Sequence, residues 1–290
     1  MEFKGTGVAL VTPFTRELEV DYDALTRLVE LQIAGGTDFL VVQGTTGETP
    51  VLSEVEKKKI LAHVIEVNAG RLPVVLGLAG NNTAQVVEDF SNQDFSGLDG
   101  ILSASPYYNK PSQHGIIAHF EAIAAVTDLP IILYNVPGRT SSNMLPSTVL
   151  KLAELPNVVA VKEASGNIEQ VMEIVQHAPE GFSVLSGEDA LTVPMMAVGV
   201  KGVISVVANA YPKTFSEMIR AAGSGDFSTA KALHYQLLES THAFFAEGNP
   251  AGVKAALEMR GICENTLRLP LTAVSSELYS RIKDLGEGLA

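Results

Sequence analysis

The stretch Val158-Val159-Ala160-Val161-Lys162, with Glu163-Ala164-Ser165-Gly166-Asn167 behind it, carries the reading on which the fold turns. Its first four residues are apolar and do not alternate with polar ones. A strand wetted on one face shows a period of two, so an unbroken run predicts a strand covered on both faces, as in a parallel sheet. The run stops at a lysine and passes through a loop of small residues. It then reaches Asn167 with Gln170 three positions on, which is a helix start. Strand, turn and helix start in that order make one β-then-α unit.

The same pattern recurs outward from this stretch in both directions. Short apolar runs lie at residues 8–11, 39–42, 74–79, 101–105, 131–134, 183–187 and 203–207. Amphipathic helices are expected between them. Ser53-Glu54-Val55-Glu56 is a capping box, and behind it Ile60, Leu61, Val64 and Val67 share one face. Asp21 caps a helix carrying Leu25, Leu28 and Val29, while Gly35-Gly36, Gly70 and Gly199 stand where helices close. Eight β-then-α units leave an open doubly wound sheet or a closed barrel. Fitting all eight into about 225 residues favours the barrel, whose usual size is about 250 residues. The expected architecture is α/β, a (β/α)8 TIM barrel over residues 1–225. A C-terminal helical appendage follows over 226–290, with segments near 227–246, 250–262 and 275–285 and no strand signal. The apolar stretch 193–211 holds Lys201 and changes composition midway. It reads as a buried helix followed by a buried strand and not as a membrane span.

Composition removes several function classes. The chain has 290 residues, 46% of them hydrophobic, and a formal net charge of −13, which argues against a nucleic-acid-binding module because phosphate binding needs a basic footprint. A small anionic substrate stays admissible, since one Arg or a few backbone N–H groups reverse the field inside a pocket. The single cysteine, Cys263, excludes an internal disulfide and a Cys-based zinc site and fits a reducing cytoplasm. The residues after Met1 show no long apolar leader, so no targeting segment is expected. The histidines at 63, 114, 119, 177, 234 and 242 contain no i, i+4 pair, so no metal site is expected. Gly77-Leu78-Ala79-Gly80 is not a dinucleotide fingerprint, and no Gly-x-Ser-x-Gly elbow occurs.

In a parallel barrel, reactive residues stand at the C-terminal ends of the strands. Lys162 ends a run with no polar residue. There it is either paired with a carboxylate as a structural ion pair, or it is a poorly hydrated amine able to attack a carbonyl. Gly44-Thr45-Thr46-Gly47-Glu48 is an anion-cradling turn or an ordinary βα turn. It lacks the lysine of a nucleotide-binding P-loop. Tyr134 is a core tyrosine or a proton shuttle. Arg139, five residues on, is a surface arginine or a carboxylate clamp. Tyr107-Tyr108, flanked by prolines, is a loop pair suited to an interface.

Gly44-Thr45-Thr46-Gly47-Glu48, Tyr107-Tyr108-Asn109-Lys110-Pro111, Tyr134-Asn135-Val136-Pro137-Gly138-Arg139-Thr140, Val161-Lys162-Glu163-Ala164-Ser165-Gly166-Asn167 and Ser186-Gly187-Glu188-Asp189 occur in one order. Together they resemble the dihydrodipicolinate synthases of the pyruvate-dependent, Schiff-base aldolase superfamily, which also holds N-acetylneuraminate lyase. The resemblance covers essentially the whole chain. It implies that Lys162 forms an imine with pyruvate and that no separate cofactor is needed. It implies that Thr45 and Thr46 hold the pyruvate carboxylate through backbone N–H groups and that Tyr134 moves protons. Thr46 would link Tyr134 to Tyr108, which reaches in from a neighbouring subunit of a homotetramer built as a dimer of dimers. Arg139 would bind the carboxylate of L-aspartate 4-semialdehyde, and Gly187 and Ile204 would line the pocket. The product implied is 4-hydroxytetrahydrodipicolinate, in diaminopimelate and lysine biosynthesis in the cytoplasm, with neither nucleic acid nor membrane as a partner. A sugar-acid aldolase or dehydratase is the alternative within the superfamily, and an inactive binding barrel the alternative outside it. Arg139 speaks for the synthase, because the neuraminate lyases lack an arginine there.

The resemblance also implies an allosteric set for L-lysine. Asn81 and Tyr107 match it, whereas its glutamate position reads Gln85 and its helix positions read Glu54 and Lys57. A missing carboxylate and an added ammonium both disfavour a cationic ligand, with Glu54 acting the other way. Weak or absent feedback inhibition is therefore expected.

Overall fold

The computed structural model describes residues 2–289. Its strands are β1 (Gly5–Ala9), β2 (Phe39–Val42), β3 (Val74–Gly77), β4 (Gly100–Ala104), β5 (Ile131–Asn135), β6 (Val158–Glu163), β7 (Ser183–Ser186) and β8 (Gly202–Ser205), closed in sequence order into a (β/α)8 barrel. The helices are α1 (Tyr22–Ala34), α2 (Glu54–Asn68), α3 (Thr83–Asn92), α4 (Gln113–Ala124), α5 (Pro137–Thr140), α6 (Pro146–Leu152), α7 (Ile168–His177), α8 (Thr192–Ala197), α9 (Pro212–Gly223), α10 (Phe227–Phe245), α11 (Ala251–Met259) and α12 (Ser276–Gly286). Several expected strand bounds move, and β8 closes at Ser205, two residues before the end of the expected run 203–207, because the chain turns into a short 3-10 helix at Val207–Asn209. β1 begins at Gly5, ahead of the apolar run, because the Thr6 N–H is already held by Asp38 Oδ2 at 2.7 Å. β3 ends at Gly77, although Leu78 N still donates to Leu102 O at 3.0 Å.

Two compact units make up the chain, and the first holds Val74–Ile204 with the residues through Lys4. Its strands pair in parallel from β3 to β8. Ile101, Ile131, Ile132, Leu133, Val161 and Leu185 are fully buried. Val86 and Phe90 of α3, Ile116, Phe120 and Ile123 of α4, and Val171 and Ile174 of α7 are likewise buried among apolar groups. Each such side chain contributes about 1.5–3 kcal/mol relative to exposure. Between β5 and β6 the register shifts: Ile131 pairs with Val158, but Ile132 pairs with Ala160, so Val159 is the extra residue of a bulge. The shift carries Lys162 into register with Tyr134.

The second unit holds Gly5–Pro73 and residues 205–289. β1 and β2 pair in parallel, with Gly7 opposite Phe39. Asp21 caps α1 by accepting from Ala24 N, and Ser53 with Glu56 forms the capping box of α2. The C-terminal helices supply an unusual core element, since every residue of α11 through Leu257 is buried, Lys254 included. The Lys254 ammonium meets Glu48 Oε1 at 2.5 Å and Thr266 O at 2.8 Å and lies 4.3 Å from the Phe14 ring centroid. Burial lowers the Lys254 pKa and Glu48 opposes that shift. Glu48 Oε2 accepts from Arg268 N at 3.1 Å, and Arg268 makes a bidentate pair with Glu56 at 2.5 and 3.0 Å. Cys263 is buried and its thiol is pushed up to about 11 by that burial, which leaves it unreactive. No helix among the described residues is long and apolar enough to cross a membrane.

The Arg268 guanidinium holds the Glu56 carboxyl at about 2, below its ordinary 4.5. A depressed carboxyl contributes stability that is complete above its unfolded value and lost as pH falls through the folded one. Glu56→Gln should therefore destabilise the protein by about 1 kcal/mol at neutral pH, the pair being partly exposed. The gap from wild type should close as the pH drops from 4.5 toward 2. Urea denaturation across a pH series measures both.

Candidate active site

The site in the first unit is built from the pleat of two neighbouring strands. Residues in register on adjacent parallel strands point to the same face, and the next pair points to the other. Tyr134 and Lys162 are one such pair, and Asn135 and Glu163 are the next. Lys162 is 5% exposed, and its Nζ lies 4.3 Å from the centroid of the Tyr134 ring. On the opposite face Asn135 Nδ2 donates to Glu163 Oε2 at 2.9 Å and Oε1 at 3.2 Å. The Glu163 carboxylate also accepts from Ser165 N at 2.7 Å and from Gln170 Nε2 on α7 at 3.0 Å. Lys162's sequence neighbour is thus a buried carboxylate turned away from it and saturated by uncharged donors. Among the described residues no carboxylate forms an ion pair with Lys162.

Gly187 closes in beside the amine. A Cβ at that position would stand 3.1 Å from Lys162 Cε and 2.6 Å from Ala164 Cβ, so only glycine fits without displacement. The next residue, Glu188, was quoted within a motif but given no role by the sequence. Its backbone is fixed at both ends, N–H to Ser186 Oγ at 3.1 Å and C=O to Thr192 Oγ1 at 2.9 Å. Burial raises its carboxyl pKa, Asp189 and Glu163 raise it further, and Lys162 and Arg139 pull it down. Ile204 is buried on β8, where the preceding Val203 stands in register with Ser186.

Arg139 rides on α5, a single turn opened by Pro137, and is exposed without an ion-pair partner among the described residues. The loop behind it is tightly tied. Thr140 Oγ1 donates to Ser142 O at 2.7 Å, Asn143 Nδ2 to Gln170 Oε1 at 2.8 Å, and Met144 N to Asn135 Oδ1 at 2.9 Å. The network that saturates Glu163 therefore also anchors the loop that presents Arg139. Tyr108 is 87% exposed and Tyr107 44%, and Tyr108 has φ of +75°, a left-handed conformation that costs a bulky residue energy. Asn81 Nδ2 donates to Tyr107 O at 3.2 Å, which brings these two together. Gln85 turns instead to its own helix, donating to Asp89 Oδ1 at 3.0 Å.

In the second unit Thr45–Gly47 forms a short 3-10 turn directly after β2. Gly47 N and Glu48 N close onto Gly44 O and Thr45 O at 3.0 and 3.2 Å. The N–H groups at the start of such a turn have no partner within it, and here these belong to Thr45 and Thr46. Thr45 is exposed and Thr46 is buried. The Thr46 hydroxyl accepts from Asn249 Nδ2 at 3.0 Å, and Thr12 Oγ1 donates to Gly47 O at 2.7 Å. Lys57 and Glu54 pair with each other at 2.8 Å. Asn249, Glu163 and Glu188 are the polar groups that sequence reading passed over. Glu163 and Glu188 stood inside quoted motifs, while nothing local marked Asn249. Among the described residues no three His, Cys, Asp or Glu side chains cluster so as to hold a metal ion.

The model of the Dihydrodipicolinate synthetase family matches residues 2–287. The 4-hydroxy-tetrahydrodipicolinate synthase of Parabacteroides distasonis is 51% identical over 98% of this chain and 96% of its own length. The crystal structure of dihydrodipicolinate synthase from Aquifex aeolicus superposes with a TM-score of 0.94 at 45% identity, covering 98% of this chain and 97% of that one. The chloride-inhibited dihydrodipicolinate synthase from Acinetobacter baumannii, solved in complex with pyruvate, gives a TM-score of 0.96 at 36% identity, covering 99% of both chains.

Gly187→Ala forces Lys162 or Ala164 to move. It should slow covalent trapping of the Lys162 amine by any carbonyl compound by about tenfold or more, as misplacement of a nucleophile does. The fold should stay intact by circular dichroism. Borohydride trapping followed by peptide mass mapping reads the rate.

Proposed function

Because the chain belongs to the dihydrodipicolinate synthetase family, we propose that it condenses pyruvate with L-aspartate 4-semialdehyde to give 4-hydroxytetrahydrodipicolinate, for diaminopimelate and lysine biosynthesis. The observation that supports this chemistry most directly is the Lys162–Tyr134 pair, a buried amine over a phenol ring with no ion pair among the described residues. Lys162 Nζ adds to the pyruvate ketone, and loss of water leaves an imine, so the electron sink is covalent and no separate cofactor is required. Loss of a methyl proton gives the enamine, whose carbon attacks the semialdehyde's aldehyde carbon. The substrate's own amine then displaces Lys162 and closes the ring.

The remaining roles follow the resemblance. Tyr134 moves the protons of imine formation and enamine attack. The Thr45 and Thr46 N–H groups take the pyruvate carboxylate, and Thr46 is the threonine of the tyrosine relay. Gly187 and Ile204 line the pocket. Arg139 takes the carboxylate of the second substrate, and its exposure without an internal partner supports that role. It also disfavours the sugar-acid aldolase alternative. Tyr108 serves a neighbouring subunit in a homotetramer of two tight dimers, a reading supported by its exposure and its left-handed backbone. We assign residues 1–225 to the catalytic barrel and 226–290 to the helical extension, and place the enzyme in the cytoplasm.

Pyruvate with borohydride should leave an adduct on the peptide holding Lys162, and Lys162→Arg should abolish it, since a guanidinium stays protonated. Arg139→Ala should keep that trapping and lose about 10–100-fold in kcat/KM for the semialdehyde, the worth of a charge-assisted contact. An adduct on another lysine would refute the nucleophile, and equal loss of trapping in Arg139→Ala would refute its division of labour.

Inhibition by L-lysine should be weak or absent. Gln85 is already bonded to Asp89, and Lys57 already neutralises Glu54, so neither offers a free carboxylate to a lysine ammonium. An activity titration with L-lysine at low and saturating pyruvate tests this, and half-inhibition at submillimolar lysine would contradict it.

A further inference from the structure

The Thr45–Gly47 turn is held from a distant part of the chain. Asn249, in the connection between α10 and α11, is 8% exposed and donates Nδ2 to Thr46 Oγ1 at 3.0 Å. Its Oδ1 is buried with no hydrogen-bond partner, so the amide is kept in place at a cost. A hydroxyl has one proton and two lone pairs. Accepting from Asn249 occupies one lone pair and turns the Thr46 proton away from the amide, leaving Thr46 a donor. Two residues on, the carboxylate of Glu48 is gripped by Lys254 of α11 and by Arg268 N. The turn is thus fixed at its threonine and at its glutamate by one C-terminal segment.

We infer that Asn249 is a positioning residue for the condensation. It sets the direction of the Thr46 O–H and steadies the N–H pair of Thr45 and Thr46, and it acts through Thr46 without touching substrate. This rests on the reading that these threonines bind the pyruvate carboxylate.

Three variants test it, with steady-state kinetics and thermal melting on the full-length protein. Asn249→Ala should raise the pyruvate KM about tenfold or more, with a smaller fall in kcat and the semialdehyde KM within about twofold of wild type. Asn249→Asp keeps the volume but replaces the donor with an acceptor, which draws the Thr46 proton toward itself, so its loss should be at least as large. In a Thr46→Val background, Asn249→Ala should add less than about a twofold effect, because its route of action is gone. Tyr279→Phe removes a hydrogen bond to Glu258 in the same helical extension and should lower the melting temperature without moving the pyruvate KM. An unchanged KM in Asn249→Ala would overturn the inference. So would the same loss in wild-type and Thr46→Val backgrounds, or failure of both Asn249 variants to fold, which would make the residue purely structural. Absence of pyruvate trapping on wild-type Lys162 would instead sink the proposed function. Normal wild-type trapping with unaltered Asn249 variants sinks only this inference.

Discussion

The alternation of β6 is the constraint on which the proposed chemistry depends. Lys162 and Glu163, a basic and an acidic residue, are adjacent in sequence, yet a pleated strand sends them to opposite faces. Each then meets a different set of partners. The amine lies over an aromatic ring and forms no ion pair among the described residues, and the carboxylate is saturated by two amide side chains and a backbone N–H. A one-residue slip in register would exchange the faces and bury the lysine among the amides of Asn135 and Gln170. Glu163 also ties down the loop that carries Arg139, so the outer face of the strand supports what the inner face does.

A second charged pair does comparable work in the other unit. Lys254 and Glu48 are both fully buried, an arrangement that rarely adds net stability over an apolar pair but is costly to break, about 3–5 kcal/mol when one partner is lost. Its location gives it a use. Glu48 sits in a left-handed conformation immediately after the Thr45–Gly47 turn, with φ of +54°. Two hydrogen-bonded grips on its carboxylate hold that strained residue in one place. The helical extension therefore contributes polar anchors to a βα loop as well as apolar surface to a core.

Electrostatics on this chain operate locally. A net charge of −13 repels anions at long range, and both proposed substrates are carboxylates. What receives them must be short-ranged and unsatisfied. Lys162 and Arg139 lack ion-pair partners among the described residues, while Lys254, Arg268, Arg71 and Lys57 are each spent on a carboxylate. Of these, the Lys254 and Arg268 pairs are buried or largely buried and tie the helical extension to the rest of its unit, whereas Lys162 is buried without an ion pair.

The amino-acid sequence by itself determined the architecture, because unbroken apolar runs and capping residues are local signals with local causes. Ser53 with Glu56, Asp21 and Asn167 cap the helices they were expected to cap, and each does so through atoms within three residues. It also singled out Lys162, since an isolated cation at the end of an apolar run is anomalous wherever it occurs. Only the tertiary structure decided which residues share a face with it. Without the bulge at Val159 the pairing of Ile131 with Val158 would have continued to Asn135 opposite Lys162, and the shift instead brings up Tyr134. No periodicity announces a bulge, because its cause is packing between strands that are distant in sequence. Asn249 was illegible for the same reason: its partner Thr46 lies some two hundred positions away, at |i−j| = 203, and only folding makes them neighbours.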